Sequence, residues 1–271
     1  QQSAVESIRE QFAEKNVVLL QGVTGSGKTR IYIEQMQAVI RQGGQVLYLL
    51  PEIALTTQIV SRLHRVFGSE VAVYHSKISY AERVELWRTA AAGKPVLLTA
   101  RSGLFLPFRD LRLIIIDEEH DPSFKQYDPA PRYHARDAAI YLAALYGAKV
   151  LLGTATPAIE SYYNAQTGKY GFVEMSERFG GLQLPDVQMI DLREQHKTRQ
   201  MQSLFSAPLL QALRQALDKG EQIILFQNRR GYAPALTCEV CNWTATCRHC
   251  DISLTYHLAT RQLRCHYCGY Q

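Results

Sequence analysis

Two groups of residues in this chain have the types and spacing that are typical of functional sites. The segment GVTGSGKT, residues 22–29, fits the pattern G-x-x-x-x-G-K-[S/T] between an apolar run and a helical pattern. All six cysteines lie between Cys238 and Cys268. The first pattern predicts a phosphate-binding loop, and the second predicts a separate metal site.

In the loop, glycines allow the backbone to curl so that its N–H groups point inward, and the following helix N-terminus adds partial positive charge. Lys28 would reach the β- and γ-phosphates of a nucleotide, and Thr29 would ligate Mg²⁺. A glycine-rich turn that fits by chance is the alternative, and the flanking strand and helix argue against it. The predicted nucleotide-binding residues are Gly22, Val23, Thr24, Gly25, Ser26, Gly27, Lys28 and Thr29.

A carboxylate site for the same nucleotide is predicted in LIIIDEEH, residues 113–120. Asp117 would hold Mg²⁺ directly or through water, and Glu118 is placed to orient and deprotonate an attacking water. An acidic strand end exposed to solvent is the alternative, and the phosphate loop upstream argues against it. Together the two segments predict ATP and Mg²⁺ as cofactors.

The cysteines follow the spacing C-x2-C-x5-C-x2-C-x14-C-x2-C. A redox role fits any one pair, but three tandem pairs in a chain without a secretory signal favour Zn²⁺ over disulfides. The predicted metal ligands are Cys238, Cys241, Cys247, Cys250, Cys265 and Cys268.

Two short strand patterns, ISLTYHL and RQLRC, lie between the second and third cysteine pairs and would bring those pairs face to face. These two pairs should therefore form one closed zinc site. The first pair, Cys238 and Cys241, supplies only two of four ligands. His249 and His266 lie inside the knuckles, where they are poorly placed to complete the set.

Aliphatic runs alternate with helical patterns along the first part of the chain. The predicted strands cover residues 17–20, 46–50, 71–74, 96–100, 113–117 and 150–154. The helical stripes between them comprise Tyr32, Met36, Val39 and Ile40, and then Leu55, Ile59, Leu63, Val66 and Phe67. Strands joined by crossover helices predict an α/β fold with a parallel sheet covered on both faces.

This alternation breaks at the polar segment 180–202, before a further helix and a predicted strand at 223–226. We therefore divide the chain into a first lobe at 1–178, a linker and the start of a second lobe at 179–236, and a zinc-binding region at 237–271.

Composition bounds the protein class. A hydrophobic content of 46% is enough for a sizeable core, and no apolar run has the 18 or more residues of a membrane span. We expect a soluble cytoplasmic protein without membrane contact. A net charge of +5 gives only a weak indication of a polyanionic partner. The chain lacks an initiator Met and ends three residues after a cysteine pair, so we expect it to be a piece of a longer protein.

Further segments carry a family resemblance. They are LLPEIALTTQ (49–58), TARSGLFLPF (99–108), DEEHDPSFKQY (117–127), RYHARD (132–137), GTATP (153–157) and FQNRRGY (226–232). With the phosphate loop and D-E-x-H, they resemble superfamily 2 helicases, and in particular the PriA family of bacterial primosomal replication-restart helicases. The cysteine block after NRRGYAP is itself a mark of that family.

The resemblance implies a RecA-like P-loop NTPase lobe, the start of a second RecA-like lobe and an inserted zinc-binding region. It further implies an ATP-dependent 3′ to 5′ DNA helicase of the bacterial cytoplasm that recognises stalled forks and promotes primosome assembly. The implied partners are forked and single-stranded DNA, primosome proteins and single-stranded-DNA-binding protein. A fourth cysteine pair further on completes two zinc sites in the family. Gln1 would correspond to its adenine-contacting glutamine.

The resemblance also suggests how nucleotide and DNA sites communicate. His120 completes the catalytic set with Lys28, Asp117 and Glu118. Thr154 and Thr156 of GTATP could hydrogen-bond His120 or Glu118 and report the state of the site. A plain strand exit before a helix start at Pro157 is compatible with that role.

The segment FKQYDPAPRY, residues 124–133, combines aromatic rings for base stacking with cations for phosphates. It matches the aromatic-rich loop that links DNA binding to ATP hydrolysis in the family. The predicted nucleic-acid contacts are Arg101, Phe124, Lys125, Tyr127, Arg132 and Tyr133. The alternatives are that the aromatic rings pin the loop to the core and that Arg101 is a surface cation.

Two function classes follow: an ATP-driven DNA helicase, favoured by Glu118, and a nucleotide-binding scaffold that senses DNA structure through its zinc module. The arginine that stabilises the transition state belongs to late second-lobe motifs, and Arg229 and Arg230 resemble a different motif. We expect residues 1–271 alone to bind ATP or ADP with Mg²⁺ but to show almost no DNA-stimulated hydrolysis, which an ATPase assay measures.

Overall fold

The computed structural model describes most of the chain. The residues outside the description are 52–56, 75–77, 129, 179, 181–184, 227–232, 234, 239, 240, 242, 250, 251 and 267. Leu55, Arg229, Arg230 and Cys250 are therefore predicted residues without a structural account. The chain divides into two compact units, Gln1–Pro185 and Asp186–Gln271.

The first unit contains a seven-stranded parallel sheet in the order β3-β4-β2-β5-β6-β1-β7. Its strands are β1 (Val17–Gly22), β2 (Gln45–Leu49), β3 (Val71–Tyr74), β4 (Val96–Thr99), β5 (Leu111–Asp117), β6 (Lys149–Thr154) and β7 (Gly171–Met175). Its α-helices are α1 (Gln2–Glu14), α2 (Lys28–Ile40), α3 (Thr57–Phe67), α4 (Tyr80–Ala91), α5 (Ala135–Tyr146) and α6 (Ile159–Gln166). The predicted α/β fold is confirmed.

The strands form the centre of the sheet because their side chains are apolar on both faces. Val18 and Leu20 of β1 belong to one core cluster, and Val17 and Leu19 belong to the other. Parallel strands need helices over both faces to bury such continuous apolar runs. The helical stripes face inward as predicted at Tyr32, Met36, Leu63 and Phe67, which are buried, whereas Val66 is exposed.

Strand β7 was not anticipated. It pairs with β1 through Val18–Gly171 to Gly22–Met175 and forms an edge of the sheet. Gly171 and Val173 of this strand are buried, whereas Glu174 is exposed, as an edge position allows. This strand places residues 171–175 inside the first unit.

The second unit contains two short helices and two small hairpins among its described residues. They are α7 (Leu192–Lys197), β8 (Met201–Gln202), β9 (Phe205–Ser206), α8 (Ala207–Asp218), β10 (Thr255–His257) and β11 (Gln262–Arg264). The antiparallel β10–β11 pair is the predicted ribbon hairpin.

The strand predicted at 223–226 is wrong: these residues form no strand, and Ile224 and Phe226 are 93% and 84% exposed. A strand requires a hydrogen-bonded neighbour, and the described residues of this unit offer none beside it. No described helix has the length and apolar character needed to cross a membrane.

The close packing of β6 against α2 generates a first prediction. A Cβ added at Gly153 would collide with the hydroxyl of Tyr32, so Gly153→Ala should lower the free energy of unfolding by about 1–3 kcal/mol through overpacking. Urea denaturation measures the change. Tyr32→Phe/Gly153→Ala should recover part of the loss, and equal losses in the two backgrounds would contradict this packing.

Candidate functional site

The nucleotide site predicted from sequence lies where neighbouring strands end. The order β2-β5-β6-β1 brings the carboxyl ends of four parallel strands to one edge of the sheet. Gly22 ends β1, Thr154 ends β6 and Asp117 ends β5. Open α/β sheets bind ligands outside this edge. The fold therefore gathers the predicted phosphate, metal and water-activating residues.

The phosphate loop is shaped by glycine. Gly25 and Gly27 have φ of 81° and 93°, a region that other residues rarely adopt, and Gly27 is the N-cap of α2. At Gly22, a Cβ would lie 2.7 Å from Ser26 Oγ. Ser26 Oγ is itself buried without a partner among the described atoms. A curled loop with a buried, unsatisfied hydroxyl at a helix N-terminus suits a phosphate group.

Lys28 and Gln1 contact this loop directly. The Lys28 ammonium donates to the Gly22 carbonyl at 2.7 Å. The Gln1 side-chain amide donates to the Ser26 carbonyl at 3.0 Å. Lys28 thus lies in the predicted phosphate loop, and Gln1 lies beside that loop, while its adenine-contacting role stays a prediction.

Asp117 is held by two tyrosines that the sequence analysis did not assign to the site. The Tyr32 hydroxyl donates to Asp117 Oδ1 at 2.9 Å, and the Tyr48 hydroxyl donates to Oδ2 at 3.1 Å. Both rings are fully buried and meet edge to face. Burial raises the pKa of both hydroxyls, and the Asp117 charge raises it further. They therefore act as fixed donors that orient the carboxylate.

Each oxygen of Asp117 keeps a further lone pair after these bonds, so the carboxylate can still bind a metal or its water. Burial raises the pKa of Asp117, while the two tyrosine hydrogen bonds and Lys28 oppose that rise. The donor set of Thr29 and Asp117 fits Mg²⁺, which prefers oxygen ligands. When bound, Mg²⁺ would neutralise charge on the phosphates.

Glu118 is partly exposed beside Asp117 and has φ of 51°, an uncommon conformation for a residue other than glycine. Burial raises its pKa and Asp117 adds to the rise, whereas Lys28 and His120 lower it. A raised pKa favours a carboxylate as a proton acceptor.

His120 connects Glu118 to the end of β6. Its Nδ1 lies 3.8 Å from Glu118 Oε2 and 2.7 Å from Thr154 Oγ1, and its Nε2 lies 3.4 Å from Thr156 Oγ1. The Thr156 N–H donates to Thr154 Oγ1 at 3.1 Å. The structure thus links Glu118 and His120 to the predicted coupling residues Thr154 and Thr156 in one chain of contacts.

Glu119 is a second functional candidate that the sequence analysis missed. Its carboxylate is 0% exposed and accepts hydrogen bonds from Arg136 at 3.1 Å, Ser161 at 2.7 Å and the Ala158 N–H at 2.7 Å. Arg136 also donates to Asp137 at 2.9 Å. A buried carboxylate is stable only with such partners. We call Glu119, Arg136, Ser161 and the Ala158 N–H the Glu119 clamp.

The aromatic loop closes back on itself. The Gln126 N–H donates to the Tyr133 carbonyl at 2.8 Å, and Lys125 pairs with His134 in an antiparallel bridge. Tyr127 and Arg132 are exposed, while Lys125 and Tyr133 are partly exposed. These four side chains therefore reach solvent, and their role as DNA contacts stays a prediction. Pro129 of the loop lies outside the described residues.

The predicted contact role of Phe124 needs correction. Phe124 is 1% exposed and belongs to a core cluster, so its ring offers no face to a base. The structure agrees with the alternative interpretation, in which this aromatic side chain attaches the loop to the core. Arg101 donates from Nη1 to the carbonyls of Ser123 at 3.1 Å and Lys125 at 2.8 Å, so this part of its guanidinium holds the loop against the short helix that follows β4.

Three cysteines converge in the second unit. Cys247, Cys265 and Cys268 have sulfur atoms within 4.8 Å of one another, and two of them are buried. The sulfur atoms of Cys247 and Cys268 lie 3.5 Å apart, near the roughly 3.8 Å expected for two thiolates on one tetrahedral zinc. Cys250, the predicted fourth ligand, lies outside the described residues. The donor set fits Zn²⁺.

Cys238 and Cys241 do not belong to the thiol cluster that the described residues form. The Cys238 N–H donates to the Trp243 carbonyl at 2.7 Å, and Thr237 pairs with Thr244 in an isolated antiparallel bridge. The role of Cys238 and Cys241 as half of a second zinc site stays a prediction.

The parallel sheet and the glycine loop before α2 define a P-loop domain of RecA-like architecture. A family model described as DEAD/DEAH box helicase matches residues 1–165, and another described as PriA DNA helicase Cys-rich region (CRR) domain matches 247–271. The chain belongs to the DEAD/DEAH box helicase family.

Comparison with curated relatives shows which members of the helicase family the chain is similar to. The chain is 44% identical over 274 aligned residues to replication restart protein PriA of Bacillus subtilis (strain 168), covering 100% of the chain and 34% of the relative. It is 46% identical over 257 residues to the protein of that name from Haemophilus influenzae (strain Rd), covering 94% and 34%. The resemblance to PriA is confirmed, and the chain spans about a third of the length of these relatives.

Among solved structures, the chain overlaps with one titled "Structure of RecG bound to three-way DNA junction". The TM-score is 0.48 at 19% identity, and the overlap covers 67% of this chain and 24% of the other.

The buried carboxylate of Asp117 generates a prediction about pH. Because burial raises the pKa of Asp117, the protonated form is favoured more in the folded state than in the unfolded state. This contribution to stability is complete below the unfolded pKa of about 3.9 and is lost as pH rises through the folded pKa. Asp117→Asn, which removes the charge, should therefore increase the free energy of unfolding at neutral pH. The gain should shrink as pH falls toward about 4. Urea denaturation across this range tests it, and a variant less stable at neutral pH would contradict it.

The thiol cluster generates a prediction about metal content. The purified chain should carry one firmly held zinc, Cys265→Ser should lose it, and the matched variant Cys241→Ser should retain it. Elemental analysis measures the ratio. Two fully occupied zincs per chain, bound without ligands from another molecule, would show that the assignment of cysteines to sites is wrong.

Proposed function

We propose that this chain is the nucleotide-hydrolysing part of an ATP-dependent DNA helicase that acts in replication restart. One observation carries the proposal: the contact chain from Glu118 through His120 to Thr154, at the sheet edge that also holds Lys28 and Asp117. A scaffold that only binds nucleotide has no need for a carboxylate of raised pKa beside the metal-binding residue.

In the proposed reaction, water attacks the γ-phosphorus of ATP, the bond between that phosphorus and the β,γ-bridging oxygen breaks, and ADP leaves. Glu118 accepts the proton of the attacking water. Lys28 and the loop N–H groups bind the phosphates, and the buried tyrosines keep Asp117 oriented for Mg²⁺. His120 contacts both Glu118 and the threonines of β6, so a change at the phosphates can reach the end of that strand.

The Glu119 clamp links this chemistry to the aromatic loop. Glu119 follows the proposed base directly, while Arg136 follows the loop that ends at Tyr133. Ser161 and the Ala158 N–H bring the start of α6 into the same cluster. DNA that moves the loop would therefore act on Arg136, and through Glu119 on the position of Glu118. We propose that this is the route by which DNA stimulates hydrolysis.

The broader activity rests on similarity to PriA. We propose movement 3′ to 5′ on DNA, recognition of stalled forks, and contacts with primosome proteins and single-stranded-DNA-binding protein in the bacterial cytoplasm. The zinc-binding region is the part proposed to make partner or fork contacts, because a closed site of thiolates has no catalytic position.

Lys28 and Glu118 have different proposed roles, so substitutions at these two residues test the proposed chemistry. Lys28→Ala should abolish tight binding of ATP, whereas Glu118→Gln should leave binding intact and lower turnover in the full-length enzyme by at least about 10². Fluorescent-nucleotide titration and a phosphate-release assay measure the two effects. Normal hydrolysis by Glu118→Gln would show that another group is the base.

A further inference from the structure

A small pocket with aromatic walls lies away from the nucleotide loop, at the β3–β4 side of the first unit. Its volume is about 250 Å³, and it is lined by Tyr74, Arg83, Val84, Trp87, Ser102, Phe105 and Leu106. Tyr74 ends β3, and Ser102 and Phe105 lie in the short helix after β4. The pocket thus opens at the carboxyl edge of the sheet, as the nucleotide site does.

Its aromatic walls are exposed although apolar. Trp87 is 52% exposed and Phe105 is 59% exposed. On α4, Arg83, Val84 and Trp87 share one face, because residues three and four apart are neighbours on a helix. Ala90 and Leu86 of the same helix pack against the core, so Trp87 is not needed to attach it.

The pocket adjoins the aromatic loop through a ring contact. The rings of Phe105 and Tyr133 meet edge to face with centroids 5.2 Å apart. Tyr133 also lies 3.5 Å from the carbonyl of Arg101 through its hydroxyl. Phe105 therefore connects the proposed DNA-binding loop to the pocket that Trp87 also lines.

We propose that this pocket binds one base of single-stranded DNA by stacking, as an extension of the strand bound at the aromatic loop. It is smaller than the roughly 300–1,000 Å³ of pockets for drug-sized ligands, so it suits a single ring system. Aromatic faces for a base and a cation at Arg83 for a phosphate are the combination that binds single strands. The proposal rests on the proposed function, because it assigns the same DNA a further contact.

Continuity with the loop and the cation at the rim favour a nucleobase over an apolar peptide as occupant.

Stacking predicts that removing one aromatic wall weakens DNA binding, whereas replacing it with another aromatic ring does not remove the interaction. Trp87→Leu and Phe105→Leu should each weaken binding of a short oligothymidylate by roughly fivefold to tenfold. Trp87→Phe should retain most of the affinity, and the control Tyr141→Leu, an exposed aromatic outside the pocket, should bind as the parent does.

The tryptophan content allows a direct test. Only Trp87 and Trp243 occur in the chain, so Trp243→Phe makes Trp87 the sole indole fluorophore. Dye-labelled oligothymidylate reports binding by anisotropy, while Trp87 emission reports stacking. The expected result is quenching of Trp87 that saturates with the anisotropy.

Saturating anisotropy without a change in Trp87 emission would overturn the pocket alone, and it would leave an apolar peptide as the alternative occupant. The absence of any anisotropy change would overturn the proposed DNA-binding function, and the pocket with it.

Discussion

The arrangement of the first unit depends on one buried charge. Glu119 is fully enclosed, and a carboxylate taken out of water costs several kcal/mol unless hydrogen bonds compensate. Arg136, Ser161 and the Ala158 N–H supply those bonds from α5 and from the start of α6. The need to satisfy Glu119 therefore fixes the turn after β5 against two helices, and the turn carries Glu118 and His120.

The turn that Glu119 holds in place lies between two sites, the carboxylates at the end of β5 and the aromatic loop. On one side, Asp117 is oriented by Tyr32 and Tyr48, and Glu118 contacts His120. On the other side, the aromatic loop runs between Phe124 in the core and Arg136 in the clamp. Packed elements of this kind have discrete arrangements rather than continuous flexibility. The proposed coupling would therefore act through a shift of the loop that alters the position of Glu118, on the turn that both sites share.

The sequence predicted the parts whose signal is local. A glycine loop between strand and helix, apolar strands with helices between them, and paired knuckles around a hairpin depend on near neighbours in the chain. Tyr32 and Tyr48 were not predicted as site residues, because their spacing is that of core residues and only the sheet order brings their hydroxyls to Asp117. Glu119 had the same problem: its partners lie 17, 39 and 42 residues away. The strand predicted at 223–226 failed because apolar content alone does not supply a pairing partner, and the described residues of the second unit offer none.

The central claim is that the Glu119 clamp couples the binding of nucleotide to the binding of DNA. The change that one ligand causes in the affinity for the other measures this coupling directly. The affinity for Mg²⁺-nucleotide would be determined with and without saturating oligothymidylate, in the parent chain and in Glu119→Gln, whose side chain has the same shape without the charge. The account predicts at least about a fivefold change of affinity with DNA in the parent, and a ratio close to one in the variant while each ligand still binds alone. An unchanged ratio in Glu119→Gln would contradict it.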